Sequence, residues 1–401
     1  MEQNNYERSK LNKKLAYRGL YIIKSGVRSF LPAIFSVVLS ILIIKLFSKA
    51  LWGDFVKYNI YLLSSSMIYS FGNKEFLLKE FSKTPSKIKL LFNEAFTSRL
   101  PFLFLTMLGA VILYPQSSHL AFMILLLSGY VCNAFSTLVI YNKNFSTAIL
   151  IELLAFSVFV SLIWISKPST IVSLFNLFAI QYGLKMALYM LLIKNMGLQL
   201  SPLNFSFHYI KKTVPFFLIG LIGFINTKVD LFLIIYFEKN ETIALYQIIT
   251  NFFIMVQSLS VIISLPFTKH IYRLKYDLLL KIENRIRLFA PLFITLCLLF
   301  TYFIIVLVYG FNFKALFYAF GFFIIFPSYW LLIRYFVLFK NGKEMLISKI
   351  SLISVLINFM SSFVLLKLGY GMLGVIAGSA LASVATVFMF FLIKKSTYER
   401  K

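Results

Sequence analysis

The sequence predicts an all-α polytopic membrane protein of about twelve transmembrane helices, arranged as two pseudo-symmetric six-helix lobes. Three observations predict it. First, 60% of the residues are hydrophobic and 13% charged, with 46 Phe in 401 positions and a mean hydropathy of +0.85, which is more apolar surface than a soluble core can hide. Second, twelve apolar stretches approach the roughly 20 residues needed to cross a hydrocarbon layer of about 30 Å. Third, positive charge is high and low by turns in the loops between them, as the positive-inside rule requires.

In chain order the spans fall at 30–47, 55–71, 100–114, 120–140, 148–165 and 171–193, then at 215–237, 243–265, 288–309, 316–339, 347–366 and 372–393. All read as helices, because the runs are continuous rather than alternating and a spanning helix satisfies its own backbone. Before the first span, Arg8, Lys10, Lys13, Lys14, Arg18, Lys24 and Arg28 make the N-terminal segment basic. Leu11 and Leu15, four apart, give that segment an apolar edge suited to the inner leaflet, and no cleaved signal peptide is expected. The second loop is basic again (Lys74, Lys79, Lys83, Lys87, Lys89, Arg99), as are the eighth (Lys269, Arg273, Lys275, Lys281, Arg285, Arg287) and the C-terminus (Lys394, Lys395, Arg400, Lys401). The fifth, seventh, ninth and eleventh loops carry one lysine each: Lys167, Lys239, Lys314 and Lys367. Both termini are therefore expected on the cytoplasmic side.

A long gap around 194–214 separates six spans from six, which predicts an N-lobe at 1–207 and a C-lobe at 208–401. An even number of crossings per half makes any duplication parallel, about an axis along the membrane normal. A faint match supports it: Gly53 and Phe55 open the second span as Ala244 and Tyr246 open the eighth.

The formal charge of +26 lies on loops beside a lipid surface, so anionic lipids are the expected partner and nucleic acid is not. Cys132 and Cys297 each sit inside a span and read as small buried hydrophobes. His119, His208 and His270 stand apart without metal-ligand spacing. No phosphate-binding glycine loop or nucleophile elbow occurs, and every outer loop is short. The sequence thus predicts no enzyme, no cofactor and no metal site.

The informative residues are polar ones inside spans. Ionisable groups at depth cost at least about 2.5–3.5 kcal/mol, so they persist where they meet a wet cavity, a partner or a ligand. Arg28 at the mouth of the first span, Lys57, Lys185, Lys228 and Arg334 are the candidate cationic lining, and Asp230 and Glu152 are the candidate ion-coupling acids. Lys228 and Asp230, two apart on a helix, point about 200° from each other and are not simple neighbours. Gln247, Asn251 and Ser258 form one stripe, and Gly223, Asn226 and Asp230 another, which makes Asn226, Gln247 and Asn251 candidate polar lining. Interhelical hydrogen bonding is the alternative for each of these groups. The excess of cations predicts a cavity that attracts an anion, with phosphate or diphosphate the natural cargo group.

Several segments resemble the multidrug/oligosaccharidyl-lipid/polysaccharide (MOP) exporter superfamily, and within it the polysaccharide flippases of the O-antigen (Wzx) type. They are KSGVRSFLPAIFSVVLSILIIKLFS at 24–48, Gly53–Phe55, PFFLIGLIGFINTKVDLFLIIYF at 215–237 with Asp230, SLPF at 264–267 and YGMLGVIAGSALAS at 370–383. The closing motif departs at Val375 and Ile376, where the family pattern has two alanines, and the chain lacks the two extra helices of lipid II flippases. The resemblance implies two six-helix lobes around a central cavity and alternating access. It also implies an undecaprenyl diphosphate-linked oligosaccharide, an O-antigen or other surface polysaccharide repeat unit, flipped from the cytoplasmic to the outer leaflet of the bacterial inner membrane. A proton or sodium ion is the expected coupling partner, because an acid such as Asp230 in a cavity can exchange it between states, and the polysaccharide polymerase machinery is an expected neighbour. A multidrug exporter of the same superfamily and a non-transporting membrane scaffold are the other readings.

Overall fold

A computed structural model of the chain describes residues 2–194, 204–271 and 276–393, with side chains described at 23–192, 204–260, 278–338, 341–343 and 345–393. Leu11 and Leu15, the N-terminal cations through Arg18, Lys269 to Lys275 and the C-terminal cations from Lys394 lie outside the described side chains. The described residues form fifteen α-helices and no strand. Ten helical segments are long and apolar enough to span a membrane, eleven when α12 (Ala315–Trp330) and α13 (Leu332–Lys340) are taken as one span bent by 41°. The bend follows Pro327, whose ring removes a helix hydrogen bond and crowds the preceding turn.

Two predicted spans differ in detail. The second is a 22-residue helix, α2 (Lys49–Ser70), that is not apolar enough to count among the ten, because Lys57, Asn59 and four serines interrupt it. The third is longer than its apolar core: α4 (Ile88–Ser98) and α5 (Leu100–Leu113) join with the turn at Pro85 into one 29-residue segment. Between them lies the short amphipathic α3 (Asn73–Lys83), which buries Phe76, Leu77 and Phe81.

Two compact units divide the chain, one made of residues 46–224 and the other of 1–45 with 225–401. Helix α1 (Glu2–Leu46) falls through Lys45 in the unit of the C-terminal helices, and α9 (Phe207–Phe237) has residues in both units, divided after Phe224.

In the 46–224 unit, α2 packs with α5, α6 (Gln116–Asn142) and α8 (Ile171–Lys194), and α7 (Phe145–Ser166) flanks α8. The Tyr61 hydroxyl donates to Thr106 O at 2.5 Å, and Gly109 leaves room for it, since a Cβ there would stand 2.6 Å from that oxygen. Helix α2 ends on two left-handed residues, Phe71 (φ 43°) and Gly72 (φ 69°). A side chain at Gly72 would also press on the Phe217 backbone at 2.7 Å, so only glycine satisfies both the turn and the approach of α9. Cys132 and Cys297 are free thiols, and His119 Nε2 lies 2.8 Å from Tyr114 O, a local cap.

In the other unit, α10 (Asn240–Ile271), α11 (Tyr276–Ile304), α12, α14 (Glu344–Lys367) and α15 (Gly371–Phe391) pack together, and α1 through Lys45 belongs to the same unit. Ser40 on α1 lies 2.6 Å from the Tyr309 hydroxyl. Helices α14 and α15 approach most closely where Gly378 meets Ser362: a Cβ at Gly378 would lie 2.6 Å from the Ser362 backbone nitrogen. Gly378→Leu must push α14 away, and overpacking of this kind destabilises by about 1–3 kcal/mol. The expected outcome is a lower melting temperature of the detergent-solubilised protein, read by fluorescence-detected size exclusion, with Gly378→Ala falling between the variant and the wild type.

Candidate functional site

Within the second unit a cavity of about 220 Å³ opens among α9, α10, α12, α14 and α15. It is lined by the polar stripes of four helices: Asn226, Lys228 and Asp230 from α9, Tyr246, Gln247 and Thr250 from α10, Ser354 and Asn358 from α14, and Ser379, Ser383 and Thr386 from α15. The reason they meet is periodicity. Ser354, Asn358 and Ser362 recur at every fourth position, as Ser379, Ser383 and Thr386 recur at four and then three, so each set occupies one face of an otherwise apolar helix.

Asp230 is the centre of the network. The Tyr246 hydroxyl donates to its Oδ2, and the Leu231 N–H donates to Oδ1 at 2.9 Å. The Ser379 hydroxyl stands 3.4 Å from Asp230 Oδ2, 3.2 Å from Asn358 Oδ1 and 3.2 Å from Val375 O. Ser362 adds a hydroxyl 3.0 Å from the same Asn358 Oδ1. Carboxylate, amide and hydroxyl oxygens are thus linked in one hydrogen-bonded network around Asp230, oxygen groups of the kind that take a proton or a hard cation.

Of the predicted residues, Asn226, Lys228, Asp230 and Gln247 line this cavity. Lys228 and Asp230 face it together yet form no ion pair within 4 Å, in keeping with their two-residue offset. Asn251 is buried behind it: Gln247 Nε2 donates to Asn251 Oδ1 at 2.6 Å, and Asn251 Nδ2 donates to Ser36 of α1 at 2.9 Å. With one lysine and one aspartate, the lining of this cavity is balanced rather than strongly cationic.

The remaining candidates lie elsewhere. Lys185 pairs with Glu152 at 2.8 Å in the 46–224 unit, its ammonium 5.3 Å from the Tyr182 ring centroid. Arg334 pairs with Glu283 at 2.9 Å and donates to Phe390 O at 3.2 Å, while Arg287 holds the same carboxylate. Arg28 on α1 and Lys57 on α2 are half-buried, each in its own unit.

Sequence reasoning missed the hydroxyl stripes of α14 and α15, which were visible as spacing but are common in membrane helices, and it missed Glu283, hidden in a basic loop. It also misjudged Arg99, taken as a loop charge beside lipid. Arg99 is fully buried: Nε donates to Ala95 O at 2.9 Å, Nη1 to Tyr69 O at 3.3 Å, and the guanidinium lies 5.1 Å from the Tyr130 ring centroid. Both acceptors belong to last turns, of α4 and α2, whose carbonyl ends carry partial negative charge that favours a cation, while Nη2 is buried without a hydrogen-bond partner among the described residues. Glu283 has no such redundancy. Removing one member of a buried ion cluster costs about 3–5 kcal/mol, so Glu283→Ala is expected to lower the thermal midpoint of the purified protein well below that of Lys83→Ala, whose partner Glu80 is a surface contact at 3.4 Å.

No protein-family model and no curated protein matches the sequence. Among solved structures, the chain is similar to the lipid II flippase MurJ in an inward closed conformation, with a TM-score of 0.64 at 14% identity over 94% of this chain and 89% of that one. It is similar to the eukaryotic MATE transporter AtDTX14, with a TM-score of 0.56 at 12% identity over 96% of this chain and 97% of that one. An inward-facing multidrug resistance MATE transporter of the MOP superfamily follows at 0.51 and 12%, over 91% and 93%. At such identities the likeness establishes the fold: an all-α, multi-pass membrane protein built like these.

Proposed function

We propose that the chain is a transporter, not an enzyme, that flips an undecaprenyl diphosphate-linked oligosaccharide, a repeat unit of an O-antigen or other surface polysaccharide, by alternating access in the bacterial inner membrane. The observation that carries this reading is the fold shared, over 94% of the chain, with a lipid II flippase. Of the segments that prompted the flippase reading, the Asp230-bearing 215–237 and the closing 370–383 contribute residues to the cavity described above.

The charge pattern assigns roles. Lys228 forms no ion pair among the described residues, and with Arg28 of the same unit it is the cation we assign to the diphosphate; Lys57, in the other unit, likewise forms no ion pair among the described residues. Lys185 and Arg334 are held by Glu152 and Glu283, so a diphosphate reaches them only by displacing a carboxylate. An outward-moving anion is favoured by about 2.3 kcal/mol per charge per 100 mV of cytoplasm-negative potential. Asp230 supplies the second drive: a carboxylate surrounded by Tyr246, Ser379 and Asn358 exchanges a proton or sodium ion between states, and the ion shifts the equilibrium by its difference in affinity for them. Both termini are cytoplasmic in this reading, and the basic loops rest on anionic lipid.

A second reading, export of organic cations, has its own support in the MATE likeness and in the same carboxylate. Reconstitution separates them. Proteoliposomes loaded with a fluorescent lipid-linked oligosaccharide are expected to move it across the bilayer, faster under an imposed potential and under a proton or sodium gradient. Asp230→Asn is expected to lose the gradient stimulation while keeping the response to voltage, and Lys228→Gln to slow cargo movement about tenfold, the effect of one lost charge-assisted contact. Movement of an organic cation with no movement of the glycolipid would overturn the flippase reading.

A further inference from the structure

A groove of about 580 Å³ runs between α11 and α12 of the second unit, apart from the Asp230 cavity. Its floor and walls are apolar, from Leu298 and Leu299 on α11 and Phe313, Ala319 and Phe322 at and on α12. Ala315 and Ala319 share one face of α12, and their small side chains leave the groove open. The neighbouring surface of α11 exposes Leu292, Leu296, Phe300 and Phe303, and Leu307 just beyond it continues the same apolar face.

Two polar groups and an aromatic ring are ordered along this groove. Lys314 caps α12 between two lining residues, is exposed, and makes no ion pair among the described residues. It lies in the linker between the span that ends at Tyr309 and the one that begins at Ala315, hence at the membrane boundary. One turn deeper, Tyr318 lines the groove with a buried hydroxyl that has no partner among the described residues; its ring meets Tyr302 of α11 at 5.6 Å. Another turn deeper lies Phe322. A hydroxyl inside the hydrocarbon layer has no water to turn to, so an unmatched one asks for an acceptor from a ligand.

We propose that this groove binds one glycerophospholipid. A cation at the boundary, a tyrosine whose backbone position on the same helix is about 6 Å deeper, and then an apolar slot reproduce the order of that lipid's own groups. The phosphate sits on Lys314, an ester carbonyl accepts from Tyr318, and the acyl chain lies over Phe322, Leu298 and Leu299. An isoprenoid diphosphate fits less well, because beneath its phosphates it is hydrocarbon and leaves the Tyr318 hydroxyl unmatched. The site is independent of what the chain transports.

The test uses the full chain in nanodiscs with phosphatidylglycerol carrying a photoreactive acyl chain, or with a photoreactive polyprenyl phosphate, and maps adducts by mass spectrometry. Phosphatidylglycerol adducts are expected to concentrate on Leu298, Leu299 and Phe322. Tyr318→Phe is expected to reduce them about fivefold and Lys314→Gln about tenfold, in line with a neutral and a charged hydrogen bond. Ala319→Trp, which fills the slot, should abolish them, while Tyr318→Phe serves as the variant that keeps shape and packing. Adducts spread evenly over the exposed α11 face and indifferent to all three substitutions would show annular lipid only and overturn the proposal. Labelling of the groove by polyprenyl phosphate in preference to phosphatidylglycerol would overturn it as well.

Discussion

Inside a hydrocarbon layer a polar group has no solvent to fall back on, and most of this structure follows from that single constraint. Backbone groups meet it by forming helices, the only open-chain solution. Side-chain hydroxyls meet it by turning back on their own helix: Ser64 to Ile60 O at 2.8 Å, Ser161 to Ser157 O at 3.0 Å, Thr301 to Cys297 O at 2.9 Å and Ser361 to Ile357 O at 2.6 Å. These bonds are local and neutral. They explain why so many serines in the spans carry no message about function.

Charges face the same constraint at higher stakes, and the chain meets it in three ways. Lys185 and Arg334 find carboxylates on neighbouring helices. Arg99 finds the carbonyl ends of two helices and an aromatic face. Lys228 and Asp230 find neither each other within bonding distance nor a second ion, and share a cavity instead. Depth in a span is therefore a poor guide to function; the mode of compensation is a better one. An ion pair closes a site, whereas a cavity leaves it open to exchange.

That distinction also marks what was legible in the sequence. Helix class and the approximate spans were readable because a run of 20 apolar residues has one physical solution. Asp230 with Asn226 and Gln247 was readable because polar residues at helical spacing share a face. The pairing of Arg334 with Glu283, 51 positions away, was not, because periodicity reports the face of one helix and is silent about which helix lies opposite. The burial of Arg99 escaped because its acceptors are backbone carbonyls, which every sequence has.

The Asp230 network adds one further step. Ser379 has a single hydroxyl proton and three acceptors within reach, Asp230 Oδ2, Asn358 Oδ1 and Val375 O, while Ser362 already offers a proton to Asn358. Such a network has more than one arrangement of nearly equal energy, and in a low-dielectric setting the choice responds to any nearby charge. In the proposed mechanism a cation arriving at Asp230 repels the Ser379 proton toward Val375 O and frees hydroxyl and amide lone pairs for itself. In that mechanism, occupancy at the carboxylate biases one state of the transporter over another through the ion's difference in affinity for the two.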